Sequence, residues 1–316
     1  MQTYVIKRLL LVFPTIFGVT FIIFMLLRLV PGDGLFLRMQ EAAYFSKADL
    51  DALRVSMGLD KPVIVQFVMW LRDLLTGDLG YSYYTDGRVL PELMRRLPLT
   101  IELALLTMVM SVSISLVIGV LAAIRQDTFL DYSVRSVSIL GLAMPGFWVA
   151  IMVIIVAASA FNWSPPIFYR ELWQDPVANL QKLILPALVL AWSSSAGEAR
   201  LIRSSVLEVL RQDYVRTAYA KGLSERMVLI RHVLKNSLIP AVTAYGGRFG
   251  ALLGGTVVME IVFALPGAGR LTVQSVQARD YPQVQANILF IAMIYVFVNL
   301  AVDLFYGWLD PRIRFQ

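Results

Sequence analysis

Residues 103–124 read LALLTMVMSVSISLVIGVLAAI, an uncharged run between Glu102 and Arg125. A helix needs about 20 apolar residues to cross a hydrocarbon core ~30 Å thick, so this stretch reads as a membrane-spanning helix. Composition agrees. Of 316 residues, 58% are hydrophobic and 16% charged, and the mean hydropathy is +0.69, too apolar for a water-soluble domain of this size. The chain has no cysteine, and its only histidine is His232. That excludes disulfides and thiolate or His-based metal clusters. The net charge of +6 does not point to nucleic acid, because the loop-borne Arg and Lys flank apolar spans, as membrane orientation requires.

Toward the N-terminus, Met1 to Arg8 is a short basic leader and Leu9 to Leu27 follows without a charge. Lys7 and Arg8 place that end in the cytoplasm. A cleaved signal peptide is the competing reading, but the run is long for one and Val30-Pro31-Gly32-Asp33 offers no small-x-small cleavage site. Residues 31–98 form a long external segment. Within it Ile64, Phe67, Val68, Leu71, Leu74 and Leu75 recur at helical spacing, which predicts an amphipathic helix on the outer membrane face. Gly58-Leu59-Asp60-Lys61-Pro62 and Gly77-Asp78-Leu79-Gly80 bound it with turn residues.

Toward the C-terminus, Arg125 to Arg135 is a polar turn whose arginines place it inside. Ser136 to Phe161 is a third span, kinked at Pro145-Gly146. Residues 162–181 return through an external loop with Trp163, Tyr169 and Trp173 suited to a membrane interface. Leu183 to Gly197 is a short fourth span ending at Glu198 and Arg200, after which residues 199–212 lead as helix into a basic loop. Ser237 to Met259 is a fifth span with Gly246, Gly250 and Gly254 on one face, a spacing that lets another helix approach closely. Residues 260–283 are external, Val284 to Val302 is a sixth span, and Asp310-Pro311-Arg312-Ile313-Arg314 is a basic tail inside. The fold expected is all-α, a polytopic membrane protein of six transmembrane helices with both ends in the cytoplasm. Its segments are an N-terminal helix at 1–30, the external segment at 31–98 and a core at 99–316 that contains a cytoplasmic loop at 199–236.

That loop carries DYVRTAYAKGLSERMVLIRHVLKNSLIP, residues 213–240. Tyr214 to Ala220 favours helix, Lys221 suits its last turn, and Gly222 sits where a left-handed residue ends it. Ser224 is placed to cap a second helix with Glu225 in its first turn, and Met227, Ile230, Val233 and Leu234 recur at helical spacing. Ala218 and Ala220 beside Thr217 and Gly222 give a face small enough for another protein to reach the backbone. The plain alternative is a solvated basic loop, which is the rule on the cytoplasmic side.

Residues 213–218, Ala220-Lys221-Gly222-Leu223-Ser224-Glu225, Arg231-His232, Asn236 and Ile239-Pro240 resemble the loop shared by permease subunits of bacterial ABC importers, in the dipeptide and oligopeptide branch. Pro31-Gly32-Asp33, Pro266-Gly267, Gly269-Arg270-Leu271 and Arg279-Asp280-Tyr281-Pro282 resemble the same branch. Tyr219 departs from it, standing where the family usually has a basic residue. The resemblance implies a type I importer permease fold and a coupling helix that docks into an ATPase subunit, here through Arg216, Thr217, Ala218, Ala220, Lys221, Gly222, Ser224 and Glu225. It also implies a second homologous permease, two ATPase subunits, an external binding protein and a place in the bacterial inner membrane. Relatives of this pattern carry dipeptides, longer peptides, glutathione or nickel chelates.

No G-x-x-x-x-G-K-[ST] occurs, so ATP hydrolysis belongs to a partner, and Gly250 to Thr256 lacks the lysine of a phosphate loop. A missing HExxH excludes metalloprotease chemistry. No cofactor is implied. A proton-coupled carrier needs acids or histidines inside the bundle, whereas Glu102, Glu198 and Asp303 read as lying at span ends. Arg248 is the one full charge near mid-span. It either lines a translocation path, where a guanidinium can give a peptide carboxylate two parallel hydrogen bonds, or forms a structural ion pair with Glu260 or Asp303.

Overall fold

The computed structural model describes residues 2–29, 55, 58, 60–166 and 168–309. Pro31-Gly32-Asp33, Leu59, the tail 310–314 and the side chain of Asp303 lie outside the described residues. The helices in chain order are α1 (Gln2–Leu29), α2 (Val63–Leu75), α3 (Val89–Ile124), α4 (Phe129–Ala143), α5 (Gly146–Phe161), α6 (Pro176–Leu210) and α7 (Asp213–Ala220). They continue as α8 (Glu225–Met227), a π-helix (Val228–Leu234), α9 (Lys235–Ser237), α10 (Ile239–Val262), α11 (Ala268–Gln277) and α12 (Tyr281–Leu309). Among the described residues the one β feature is an isolated antiparallel bridge between Tyr81 and Arg88.

By length and composition, four stretches are fit to cross a membrane: Arg8–Leu29, Val89–Ile124, Pro176–Leu210 and Tyr281–Val302. The pair α4 and α5 makes a fifth if counted as one span. The remaining expected span corresponds to α10, which has 24 residues but is diluted by Arg248 and the glycines at 246, 247, 250, 254 and 255.

One expected span takes a different form. Ser136 to Phe161 is not one kinked helix, because α4 and α5 meet at a 107° bend. Pro145 lacks an N–H and disfavours helical backbone at the residue before it, and Met144 is accordingly extended at φ −86°, ψ 129°. Pro145 is extended too, and its carbonyl accepts from the amides of Trp148 and Val149 to start α5 afresh. The fourth span and the helix expected at 199–212 join without a break as α6, which runs to Leu210. The Asp175 carboxylate caps its start by accepting from the Ala178 amide at 3.0 Å, and Pro176 follows at the first turn, where its missing N–H costs nothing.

The chain divides into two compact units, residues 1–98 with 266–316, and residues 99–265. In the first, α12 lies against both α1 and α11. The expected helix α2 forms, but only part of its apolar face is covered. Phe67 is buried with its ring 5.3 Å from Phe24, 5.4 Å from Phe21 and 6.0 Å from Phe17, in edge-on arrangements that suit the aromatic quadrupole. Ile64, Val68 and Leu75 stay exposed. The turn after α2 uses Gly77 and Gly80 at φ +80° and +76°, as expected of that motif. Beyond it, Asp280 closes the start of α12. Its carboxylate accepts from the Ser82 hydroxyl at 2.5 Å, the Tyr83 amide at 3.0 Å and the Gln283 amide at 3.4 Å. The Ser82 oxygen in turn accepts from the amides of Tyr84 and Thr85.

The second unit has two apolar cores. One gathers Leu99, Leu103, Ala150, Leu183, Ala187 and Met259, and the other Ile202, Val206, Val215, Val228, Val233 and Ala241. Helix α6 supplies both. Close helix contacts occur at single glycines: a Cβ on Gly119 would stand 2.8 Å from the Ala199 carbonyl oxygen, and one on Gly141 would stand 3.0 Å from the Trp192 ring nitrogen. Arg203 fixes α6 to α4 with two parallel bonds to the buried Asp131 carboxylate, at 2.6 and 2.7 Å.

Candidate functional site

Helix α7 is set by the second core. Val215 and Ala218, three residues apart and so on one helical face, are buried there. Ala218 is 5% exposed, which corrects the expectation that it shares an open face with Ala220. The outward residues are Arg216, Thr217, Tyr219, Ala220, Lys221 and Gly222. Arg216 and Asp213 lie 3.6 Å apart with both side chains in solvent, a pairing that water and salt screen.

The helix ends as its sequence indicates. Gly222 has φ +76°, its amide donates to the Tyr219 carbonyl at 2.9 Å, and the Leu223 amide donates to the Ala218 carbonyl at 3.4 Å. This pair of bonds is the Schellman closure, and Leu223 completes it by resting on the core that holds Ala218. Ser224 occupies the cap position of α8 with extended backbone, but its side chain makes no capping bond. The second helix is then wound as a π-helix from Val228 to Leu234. Side chains gather at the His232 carbonyl: the Tyr214 hydroxyl donates to it at 3.3 Å, and Asn236 donates to both that carbonyl and the Tyr214 oxygen. Tyr214 thus ties α7 to the segment leading into α10, a role its sequence alone does not reveal.

A polar cluster crosses α3, α6 and α10. Arg248 lies with Nη1 3.6 Å from Glu198 Oε1 and donates to the Ser194 carbonyl at 3.2 Å. The other oxygen of Glu198 accepts from the Ser111 hydroxyl at 2.8 Å. One turn along α3, Ser115 hydrogen-bonds the Tyr245 hydroxyl, and Tyr245 is one turn from Arg248 on α10. Gly197 makes room for the guanidinium, since a Cβ there would stand 3.0 Å from it. Among the described side chains the ion-pair partner of Arg248 is therefore Glu198, rather than Glu260. Glu260 is buried and accepts from the Thr100 hydroxyl at 2.7 Å. Glu198 lies inside the continuous helix α6 and is 3% exposed. The signal for it was the run Ser193-Ser194-Ser195 just before it and the Ser111, Ser115 pair on one face of the facing span.

The glycines of α10 behave unequally. Gly246 is buried and Gly250 half-buried, whereas Gly254 is exposed with no atom within 4 Å of a Cβ placed there. Elsewhere in the unit, Tyr169 donates to Glu102 at 2.9 Å, and burial, then that bond, push its pKa well above the usual tyrosine value. Among the described residues no group of three or more His, Cys, Asp or Glu is placed to hold a metal ion.

Residues 115–315 match the family described as the inner membrane component of binding-protein-dependent transport systems, and residues 1–104 match that family's N-terminal membrane component. A Brucella abortus protein provisionally described as a peptide transport system permease is 40% identical over 316 residues, covering 100% of both chains. The oligopeptide transport system permease protein AppB of Bacillus subtilis is 38% identical over 318 residues, again covering 100% of both. Among solved structures, an inward-facing form of the methionine ABC transporter MetNI shares the fold at a TM-score of 0.56 and 17% identity, over 69% of this chain and 96% of that one.

Proposed function

Because this chain belongs to the family of inner membrane components of binding-protein-dependent transport systems, we propose that it is a permease subunit moving dipeptides or oligopeptides across the bacterial inner membrane. The observation that carries the cargo class is end-to-end similarity to permeases named for peptides. The chain is not itself an enzyme, and ATP is hydrolysed by separate subunits. The assembly we infer holds a second homologous permease, two ATPase subunits and an external binding protein, with six spans, both termini in the cytoplasm and no nucleic acid. The segments at 1–30, 31–98 and 99–316 are its N-terminal helix, its external part and its transport core.

In this reading α7 is the coupling helix. Arg216, Thr217, Ala220, Lys221 and Gly222 meet the ATPase, Ser224 and Glu225 flank them, and Ala218 anchors the helix from behind. A push on α7 reaches α10 through Tyr214, the His232 carbonyl and Asn236. Gly254, which no described residue covers, is left for the partner permease or the path, and Gly246 and Gly250 belong to close helix contact. Arg248 borders the path and meets the carboxylate of a passing peptide. A ligand shifts such a two-state device only through different affinity for the two states.

The test is uptake of labelled peptide into proteoliposomes carrying the complete transporter. Uptake should require ATP on the ATPase side and the binding protein on the other. Uptake driven by a pH gradient without ATP, or none with every subunit present, would overturn the reading.

A further inference from the structure

The contact between Arg248 and Glu198 is loose where a purely structural pair is tight. Arg203 grips Asp131 through two bonds at 2.6 and 2.7 Å, whereas Arg248 stands 3.6 Å from Glu198, beyond hydrogen-bond reach. A guanidinium carries five N–H donors in a planar fork, and this one is 44% exposed and given to one backbone carbonyl. Glu198 is by contrast 3% exposed and steadied by Ser111. Beside Arg248 the exposed surface of α10 is made of Gly247, Ala251 and Gly254, and no atom lies within 4 Å of a Cβ at either glycine. A charge in a membrane-spanning helix is costly to leave against lipid, so this small-residue face borders water or cargo. A peptide backbone fits close against such a surface whatever its side chains are.

We propose that Glu198 is the resident counter-charge that the cargo's free α-carboxylate displaces. With the path empty, Arg248 rests against Glu198. When a peptide enters, the guanidinium turns its fork onto the terminal carboxylate in a bidentate pair, stronger than the contact it leaves. Glu198, fixed by Ser111, then competes to take the guanidinium back, and that competition keeps the cargo from staying bound. The inference rests on the peptide-permease reading and adds to it a specificity residue, Arg248, and a positioning residue, Glu198.

The experiment compares uptake of one dipeptide with that of its C-terminal amide, in proteoliposomes holding the complete transporter with saturating binding protein. The variants are Arg248→Gln and Glu198→Gln. The same binding protein serves each, so its own preference cancels when free-to-amide ratios are compared between variants. Arg248→Gln should lower that ratio about tenfold, the scale of one lost charged hydrogen-bonding partner. Glu198→Gln should lower both KM and maximal rate for the free peptide and leave both unchanged for the amide, because nothing then competes for the guanidinium. If that variant does not assemble, Ser111→Ala serves in its place. It leaves Glu198 more available to Arg248, so KM should rise for the free peptide and not for the amide. An unchanged ratio in Arg248→Gln overturns the proposal, as do wild-type constants in Glu198→Gln or equal KM changes for both peptides in Ser111→Ala. ATP-driven uptake of both peptides that ignores Arg248 defeats the charge exchange alone. Absence of ATP-driven uptake of either defeats the peptide reading beneath it.

Discussion

Replacing Gly222 in turn by asparagine, alanine and valine isolates the backbone cost of the turn that closes α7. Gly222 sits at φ +76°, and no atom lies within 4 Å of its ideal Cβ, so an added methyl meets only its own backbone. For an L-residue, left-handed backbone costs roughly 1–2 kcal/mol, with asparagine near the low end because its side chain bonds locally. A β-branched residue is a genuine outlier there and should cost about 2 kcal/mol or more. What opens is the pair of bonds from Gly222 and Leu223 back to Tyr219 and Ala218. Each 1.4 kcal/mol is about tenfold in an equilibrium, so exchange of the Leu223 amide should quicken about fivefold with alanine and about thirtyfold with valine. Hydrogen–deuterium exchange over peptides spanning 213–223 reads this directly in the assembled complex. ATPase binding should weaken in the same order, asparagine least and valine most. Wild-type exchange in the valine variant would show that the left-handed turn is not what closes α7, and the docking geometry would fall with it.

Arg203→Ala leaves the buried Asp131 carboxylate without its fork and should destabilise the unit by about 3 kcal/mol, seen as a lower unfolding midpoint in detergent; Asp131→Asn should lower it similarly. Gly119→Val drives a side chain into the Ala199 carbonyl and Ile202, a backbone clash that should cost about 3 kcal/mol or prevent assembly, while a change at the open Gly247 should be tolerated. Tyr169→Phe should show a pH signature. The folded-state pKa of Tyr169 is raised above its unfolded value, so the stability it contributes is full below about pH 10 and is lost as pH rises through the folded value. The difference in midpoint between wild type and variant should be the same at pH 7 and pH 9 and shrink only in stronger alkali.

Local signals in the sequence were sufficient where the physics is local. The charge-free run 103–124 lies within α3 and Gly222 declared its left-handed turn, whereas Ala218 read as part of an open face and is buried beside Val215. Reading failed where a distant residue decides. Nothing near Glu198 in the sequence names its partners, which are Ser111 and Arg248 on two other helices. Tight approaches occur at Gly119 and Gly141, isolated residues that no spacing rule singles out. Pro145 announced a bend, but its 107° angle depends on two successive extended residues.

The Asp280 carboxylate has a mechanical corollary. One anion, 1% exposed, is shared by the turn from Ser82 to Thr85 and by the first residues of the last long helix. Parting them would cost the carboxylate its bonds from Ser82 and Tyr83 and leave it the Gln283 amide alone, so the two favour travelling as a single piece. Whatever tugs on the projecting Tyr84 tugs on the head of the final helix as well.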